Sequence, residues 1–169
     1  CLFTDSKGKI WIGTDNGISI FRAGSIENIG LNEGLPYSNV TSIAEDTQGR
    51  YWIGFERKGA IILIDPKNET KELGFKQVGQ GTGLENITVT NIRSDNKGIM
   101  WLTTNGQGVY KYKDEKLKNY KYRNGLASDV ILSICQDRSG SIWFGSSGAG
   151  AIKLADETFT YYYNILGLG

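Results

Sequence analysis

The chain has 169 residues, with 19 Lys and Arg against 18 Asp and Glu, and this near-balance argues against nucleic-acid binding and against contact with an anionic membrane. Histidine is absent, which excludes Ser-His-Asp and Cys-His catalysis within this chain and removes the commonest zinc ligand, so we expect no metal and no cofactor. The 23 glycines and 2 prolines suit many short strands joined by tight turns, and no stretch approaches the ~18 apolar residues of a membrane helix.

One motif, D-x-x-G-x-x-W, recurs in chain order. Its tryptophans are 41, 49 and 42 residues apart, and the copies are Asp5–Trp11, Asp46–Trp52, Asp95–Trp101 and Asp137–Trp143. A period of about 40–50 residues with one tryptophan per unit is typical of a propeller blade or a solenoid unit. We therefore predict a single domain, residues 1–169, made of four blades with approximate bounds 1–38, 39–87, 88–129 and 130–169.

Each unit is predicted to contain four strands, because runs of β-branched and aromatic residues alternate with Gly, Asn and Asp. The second unit is the clearest, with strands over Val40–Asp46, Arg50–Phe55, Ala60–Ile64 and Phe75–Val78. Other third strands are predicted over Ile18–Phe21, Gly108–Tyr112 and Ala151–Leu154, and other fourth strands over Leu117–Tyr122 and Thr158–Tyr163. The predicted fold class is all-β: a β-propeller segment of four four-stranded antiparallel blades.

The motif also predicts how the strands pack. Asp and Gly are expected to close the turn between the first two strands, and Trp11, Trp52, Trp101 and Trp143 to lie buried between neighbouring sheets. The glycines at Gly13, Gly54 and Gly145 are expected to let neighbouring backbone or a tryptophan ring approach closely. Cys135, on a predicted inner strand, is expected to be a small core residue.

A Gly-Leu pair precedes each inner strand, at Gly34-Leu35, Gly83-Leu84, Gly125-Leu126 and finally Gly167-Leu168. The last pair falls where a fifth blade would begin. We therefore expect the chain to be a segment of a larger protein, or to complete itself with a second copy, and we rank a closed four-blade ring last.

The pattern D-x-x-G-x-[apolar]-W-[IF]-G-[TS], followed by a Gly-rich turn and a Gly-Leu loop, resembles the two-component regulator propeller repeat. Residues 8–17 and 140–148 match it most closely, and the resemblance covers essentially the whole chain. It implies an extracytoplasmic sensor region of a bacterial, often hybrid, histidine kinase. It also implies that the four blades are part of a larger propeller of about seven blades. In gut bacteria many such sensors respond to oligosaccharides, so the resemblance implies an oligosaccharide or other small ligand as partner.

Ligands of propellers bind where loops converge at one end of the blades. The loops before the inner strands present Tyr37, Asn39, Asn86, Thr88, Ser128 and Asp129. The turns between second and third strands present Asp15, Asn16, Glu56, Arg57, Lys58, Asn105, Gln107, Ser146 and Ser147. Within this set Asn16 and Asn105 precede glycine and are better explained as turn residues. Glu56-Arg57-Lys58 departs most from the small, neutral turns of the other units, although a solvated charged turn explains these residues better than a ligand site does.

Two further functions remain open. A propeller lyase or hydrolase would need carboxylate, Tyr or Lys groups, and Glu56 and Asp129 are the carboxylates to consider, although no spacing brings them together. A protein-interaction or dimerisation scaffold is the third hypothesis. Tyr161-Tyr162-Tyr163 resembles a stacking platform, but alternation on an outer strand explains these residues as well, and the motif aspartates are interpreted as turn-formers.

Overall fold

The computed structural model describes residues 1–64 and 74–162 and folds them into four antiparallel sheets of four strands. The predicted Gly167-Leu168 pair and Tyr163 lie outside the described residues. The strands are β1 (Leu2–Thr4), β2 (Ile10–Thr14), β3 (Gly17–Arg22) and β4 (Ser25–Ile29) in the first sheet; β5 (Val40–Glu45), β6 (Tyr51–Phe55), β7 (Ala60–Ile64) and β8 (Gly74–Gln77) in the second; β9 (Val89–Ser94), β10 (Met100–Thr104), β11 (Val109–Lys113) and β12 (Lys116–Tyr120) in the third; and β13 (Ile131–Gln136), β14 (Ile142–Ser146), β15 (Ala151–Ala155) and β16 (Thr158–Tyr162) in the fourth.

Within every sheet the strands lie side by side in chain order, which is the arrangement of a propeller blade. The predicted fold class is therefore confirmed as a partial β-propeller. Short 3₁₀ helices at Leu31–Glu33, Leu84–Asn86 and Tyr122–Asn124 precede the inner strands of the last three sheets. The fourth strand predicted over Leu117–Tyr122 ends at Tyr120, because Tyr122 begins one of these 3₁₀ helices.

The chain forms two compact units, residues 1–92 and 93–169, and the boundary falls inside β9. In the first unit all five residues of β6 are buried, because both faces are covered. On one face Tyr51 packs against Trp11 of the first sheet, with ring centroids 4.1 Å apart. On the other face Val89 of β9 approaches Gly54 so closely that a Cβ there would lie 3.0 Å from the valine side chain. Gly54 therefore makes room for a neighbouring side chain, whereas the sequence predicts close approach of backbone or of a tryptophan ring at this position.

Each motif aspartate does more than form a turn. One carboxylate oxygen of Asp95 accepts the backbone N–H groups of Lys97 and Ile99, both at 2.9 Å, and the other accepts the indole N–H of Trp101 at 2.9 Å. The same three bonds recur in the other copies of the motif. The aspartate thus satisfies the buried indole N–H and fixes the ring on its strand, which the sequence interpretation as a turn-former missed.

Three of the motif tryptophans are almost fully buried and the fourth is not. Trp11, Trp52 and Trp101 are 2%, 0% and 3% exposed, whereas Trp143 is half-buried. The Trp143 ring stacks on Tyr162 of its own sheet, with centroids 5.2 Å apart. Trp101, by contrast, meets Phe144 of the next sheet edge-on at 6.0 Å. Burial between sheets therefore holds for Trp11 and Trp101, and Trp143 is covered by its own blade.

The core assignment of Cys135 was wrong, because its side chain is exposed. The pairing of β13 with β14 shifts register between Ile131 and Ser133, and only Ile131 and Ile134 of this strand are buried. No helix in the described ranges, 1–64 and 74–162, is long and apolar enough to cross a membrane.

Candidate functional site

The most individual feature at the loop end of the first unit is the four-residue turn Glu56–Gly59 between β6 and β7. Its backbone is fixed by neighbouring loops on both sides. The N–H of Glu56 donates to the carbonyl of Asn39 at 3.1 Å, and the N–H of Gly59 donates to the carbonyl of Ile87 at 2.9 Å. The N–H of Arg57 donates to the Thr88 hydroxyl at 3.1 Å. The predicted loop residues Asn39, Thr88 and the charged turn therefore do come together.

Gly59 is required for this docking. Its φ is +65°, in the left-handed region that favours glycine, and a Cβ there would lie 2.6 Å from the carbonyl oxygen of Leu84. Leu84 is itself fully buried. Leu84, the leucine of the Gly-Leu pair, therefore holds in place the loop against which the turn packs. This explains why the Gly-Leu pair and the turn glycine occur together.

The side chains of the turn meet an aromatic ring and an amide. The amide of Asn39 donates to the Glu56 carboxylate at 2.5 Å. The Lys58 ammonium lies 5.5 Å above the centre of the Tyr37 ring, and this ring meets Phe55 edge-on at 5.3 Å. Arg57 points outward with 82% of its side chain exposed. We name this group, Tyr37, Asn39, Glu56, Arg57, Lys58 and Thr88, the charged-turn cluster; Asn86 is exposed at the end of the adjacent 3₁₀ helix.

One residue that supports the cluster was missed from sequence. The amide of Gln77, at the end of β8, donates to the carbonyls of Lys58 at 3.3 Å and Ala60 at 3.1 Å. In the second unit Asn119 of β12 does the same for Gln107 at 2.9 Å and Val109 at 3.2 Å. The sequence signal that could have revealed Gln77 and Asn119 is an amide side chain near the end of the fourth strand of a sheet, which occurs in both units.

The predicted site residues of the second unit form a separate group whose polar groups largely bind one another. The Asp129 carbonyl accepts the N–H of Gly106 at 3.0 Å and of Gly108 at 2.7 Å, and its carboxylate accepts the N–H of Tyr122 at 2.7 Å. The Gln107 side chain accepts a hydrogen bond from Lys121. Asn105 forms a β-bridge with Val130, and the remaining members bond within the group, Ser128 to the Ser147 carbonyl and Ser146 to the Gly150 carbonyl.

Other predicted residues have structural partners or stand apart. Asp15 and Asn16 form an exposed two-residue turn, and the Asn16 N–H donates to the Thr14 hydroxyl at 3.1 Å. Tyr161 donates its hydroxyl to the carbonyl of Gly125, and Tyr162 stacks on Trp143. These tyrosines are therefore packing residues of β16, and the stacking platform considered from sequence does not form from them.

Two carboxyl groups of the second unit are strongly perturbed, and both serve structure. Hydrogen bonds from the Ser139 hydroxyl and the Trp143 indole lower the pKa of Asp137 to about 2. Hydrogen bonds from Lys111, and then from Tyr120 and Lys118, lower the pKa of Glu157 to about 2. Among residues 1–64 and 74–162 no group of three or more Cys, Asp or Glu side chains is placed to hold a metal ion.

Surface grooves occur elsewhere than at the charged-turn cluster. One, of about 490 Å³, lies beside Ser19, Asn28 and Glu33 in the first unit. Three of its polar side chains already have partners, because the Ser19 hydroxyl donates to Asn28 at 2.7 Å and Glu33 accepts the N–H of Gly30 at 2.7 Å. A second groove, of about 500 Å³, lies in the other unit and includes Asp95, whose carboxylate already accepts the indole N–H of Trp101. The charged-turn cluster is not part of either groove.

Known proteins with this architecture were found by structure comparison. The extracellular domain of the hybrid two-component system BT3049 from B. thetaiotaomicron gives a TM-score of 0.80 at 24% identity, over 98% of this chain and 22% of that one. The extracellular domain of the one-component system BT4673 from the same organism gives 0.74 at 24%, over 95% of this chain and 24% of that one. A virginiamycin B lyase from Staphylococcus aureus gives 0.72 at 15% identity, over 96% of this chain and 54% of that one.

At these identities the likeness concerns the fold, and the chain spans only about a quarter of the first two proteins' length. No curated protein sequence gives a significant match. The family model of the two component regulator propeller matches residues 1–16, 34–57 and 125–148, which contain the motif copies ending at Trp11, Trp52 and Trp143. Three segments of the chain therefore match the two-component regulator propeller repeat, and the chain folds as part of a β-propeller.

Proposed function

We propose that this chain is a non-enzymatic, ligand-binding propeller segment of an extracytoplasmic sensor in two-component signalling. The charged-turn cluster is the observation on which the proposal chiefly rests. It presents a carboxylate, a guanidinium, an ammonium, an amide and an aromatic ring on a turn whose backbone is fixed by three hydrogen bonds to neighbouring loops. Fixed polar groups on a rigid support are what a small-ligand site requires.

An oligosaccharide is the ligand class that this chemistry suits best. Sugar hydroxyls need both donors and acceptors, and the apolar faces of sugar rings pack on aromatic side chains. Asn39, Glu56 and Thr88 supply the first kind of group, and Tyr37 supplies the second. The cluster lies on an open surface, which suits a chain of sugar units better than an enclosed small molecule.

The chemistry of the chain favours binding over catalysis. The virginiamycin B lyase with this fold is described in a catalytically inactive histidine-to-alanine form, and these 169 residues contain no histidine. The two carboxylates considered from sequence are both engaged, Glu56 by the Asn39 amide and Asp129 by the Tyr122 backbone. Turnover of a polysaccharide by this chain would establish the enzyme alternative instead.

The resemblance to the propeller repeat also supports proposals about the location and the partners of the chain. Extracytoplasmic placement is supported by the extracellular domains among the similar structures. Further blades of a parent protein, or a second copy, are the partners proposed for the sheet face bearing Leu2 and Ile26, which are 75% and 63% exposed.

Titration calorimetry of the chain against a panel of neutral and acidic oligosaccharides tests the binding function. We expect at least one member to bind, and we expect Tyr37→Leu to weaken it, because leucine keeps the apolar contact with Phe55 but loses the ring face. Tyr122→Leu, which removes an exposed tyrosine of the second unit, is the matched control. A panel without any binder, or equal effects of the two substitutions, would contradict the proposed site.

A further inference from the structure

Arg57 occupies a backbone position that is glycine in the two equivalent turns. The four-residue turns Glu56–Gly59, Asn105–Gly108 and Ser147–Gly150 align residue by residue, so Arg57 corresponds to Gly106 and Gly148. All three residues have positive φ, +55° at Arg57, +104° at Gly106 and +81° at Gly148. A long side chain in this left-handed region is disfavoured, and strained positions of this kind concentrate at functional sites.

Packing within the chain does not explain the arginine. A Cβ added at Gly106 or Gly148 would meet nothing within 4 Å, so this turn position points into open space. Arg57 follows the same direction, with 82% of its side chain exposed. The backbone N–H of Arg57 is held by the Thr88 hydroxyl, so the base of the side chain is fixed while its guanidinium stays accessible.

The guanidinium is also weakly paired. Its Nε lies 3.8 Å from the Glu56 carboxylate, beyond hydrogen-bonding distance, while Glu56 accepts the Asn39 amide at 2.5 Å. Lys58, the next residue, has its ammonium 5.5 Å above the Tyr37 ring. The turn therefore carries two positive charges, those of Arg57 and Lys58, against the single negative charge of Glu56, which already accepts the Asn39 amide. The tip of the turn is locally positive.

From this geometry we infer that the charged-turn cluster binds an anionic saccharide, one bearing a carboxylate or a sulfate group, and that Arg57 is the residue that recognises the anion. The inference rests on the proposed ligand-binding function. A guanidinium donates two parallel N–H groups that match a carboxylate or sulfate, and Lys58 adds a second positive charge. The Tyr37 ring lies beside the Lys58 ammonium, where it would pack against the sugar ring that bears the anion.

The test is calorimetric titration of the chain with three probes: a galacturonate trimer, its fully methyl-esterified and therefore neutral form, and a sulfated galactan trimer. The variants are Arg57→Gly, Lys58→Gln and, as a control with the same change of charge, Arg22→Gln at an exposed site of the first sheet. Gly and Gln are the residues at the equivalent positions 106 and 107, so both substitutions suit the turn. Thermal unfolding of each variant separates lost binding from lost structure.

We expect an acidic probe to bind at least about tenfold more tightly than the methyl ester, with affinity that falls as salt rises. Arg57→Gly should remove about tenfold of that affinity without lowering the Tm, Lys58→Gln should remove less, and Arg22→Gln none. The carboxylate and sulfate probes show which anion is preferred. If neutral sugars bind as tightly as acidic ones, or if Arg57→Gly leaves acidic binding unchanged, the inference is overturned while the ligand-binding function stands. If no probe and no member of the broader panel binds, both are overturned.

Discussion

The turns of the β6–β7 and β10–β11 hairpins have the same length and positive φ at the same two positions, and they differ in the side chains that they present. In both, the last glycine of the turn, Gly59 or Gly108, has positive φ and fits against the carbonyl of a residue in another segment of its own unit. The first hairpin then places Glu56-Arg57-Lys58 at its tip, whereas the second places Asn105-Gly106-Gln107. The backbone contacts therefore fix the turn, and the exposed side chains are free to specify what each loop binds.

The two hairpins also differ beneath their tips. Trp52 is paired across the strands with Ile62, whereas Trp101 is paired with Lys111. The Lys111 ammonium lies 5.5 Å above the Trp101 ring and forms an ion pair with Glu157. The second hairpin thus places a lysine across from its tryptophan where the first places an isoleucine.

The largest effect should come from the shared base of the hairpins. Trp52→Ala and Trp101→Ala should each lower the free energy of unfolding by about 3–5 kcal/mol, because each removes a buried ring and the indole hydrogen bond to the motif aspartate. Urea denaturation measures both. Trp143→Ala, at a half-buried ring, should cost less, and equal losses at all three positions would contradict the difference in burial described above.

The next effect concerns the turn glycines. Gly59→Ala and Gly108→Ala should each cost about 2–3 kcal/mol, because a Cβ at either site collides with a backbone carbonyl in addition to the strain of positive φ. Gly24→Ala is the matched control, since Gly24 has φ of +84° but open space around its Cβ position. We expect it to cost only about 1 kcal/mol. Thermal unfolding that ranks Gly24→Ala with the other two would show that docking of the turns is unimportant.

Exchanging the tip residues should have a smaller effect on stability. Gly106→Arg should cost about 1 kcal/mol, since its side chain enters open space and only backbone strain is added. Arg57→Gly should leave the Tm unchanged or higher. A marked drop in Tm for Arg57→Gly would mean that the arginine is needed for folding, which would remove the basis for assigning it to a ligand.

The smallest effect is pH-dependent and belongs to the second hairpin. The pKa of Glu157 is lowered to about 2 from its usual 4.5, so its contribution to stability is complete above pH 4.5 and is lost as pH falls towards 2. The side chain is 54% exposed, so screening should keep this contribution below about 1 kcal/mol. The Tm difference between wild type and Glu157→Gln should therefore shrink between pH 4.5 and pH 2. Glu27→Gln, on β4, is the matched control, and a difference that stays constant with pH would contradict the ion-pair assignment.

Sequence reasoning recovered the repeat, the strands and the charged turn because each depends on local residue patterns. It did not find the hydrogen bond between the motif tryptophan and the motif aspartate. The indole N–H of Trp101 donates to Asp95 only because of side-chain directions across the turn. It placed Cys135 in the core because alignment on the repeat puts this residue on an inner strand. Ala44, at the same position of β5, is buried, but this face of β13 is exposed at Ser133 and Cys135. The left-handed conformation of Arg57 was likewise beyond reach, because only comparison of the turn backbones reveals it.

The central claim is that ligand binds at the tip of the β6–β7 hairpin and not at that of β10–β11. Amide chemical-shift mapping by NMR during titration with a galacturonate trimer tests this most directly. The account predicts shifts at Arg57, Lys58 and the Thr88 loop, with the amides of Gly106 and Asp129 unchanged. Shifts centred on Gly106 and Asp129, or a bound ligand that leaves Arg57 and Lys58 unmoved, would contradict it.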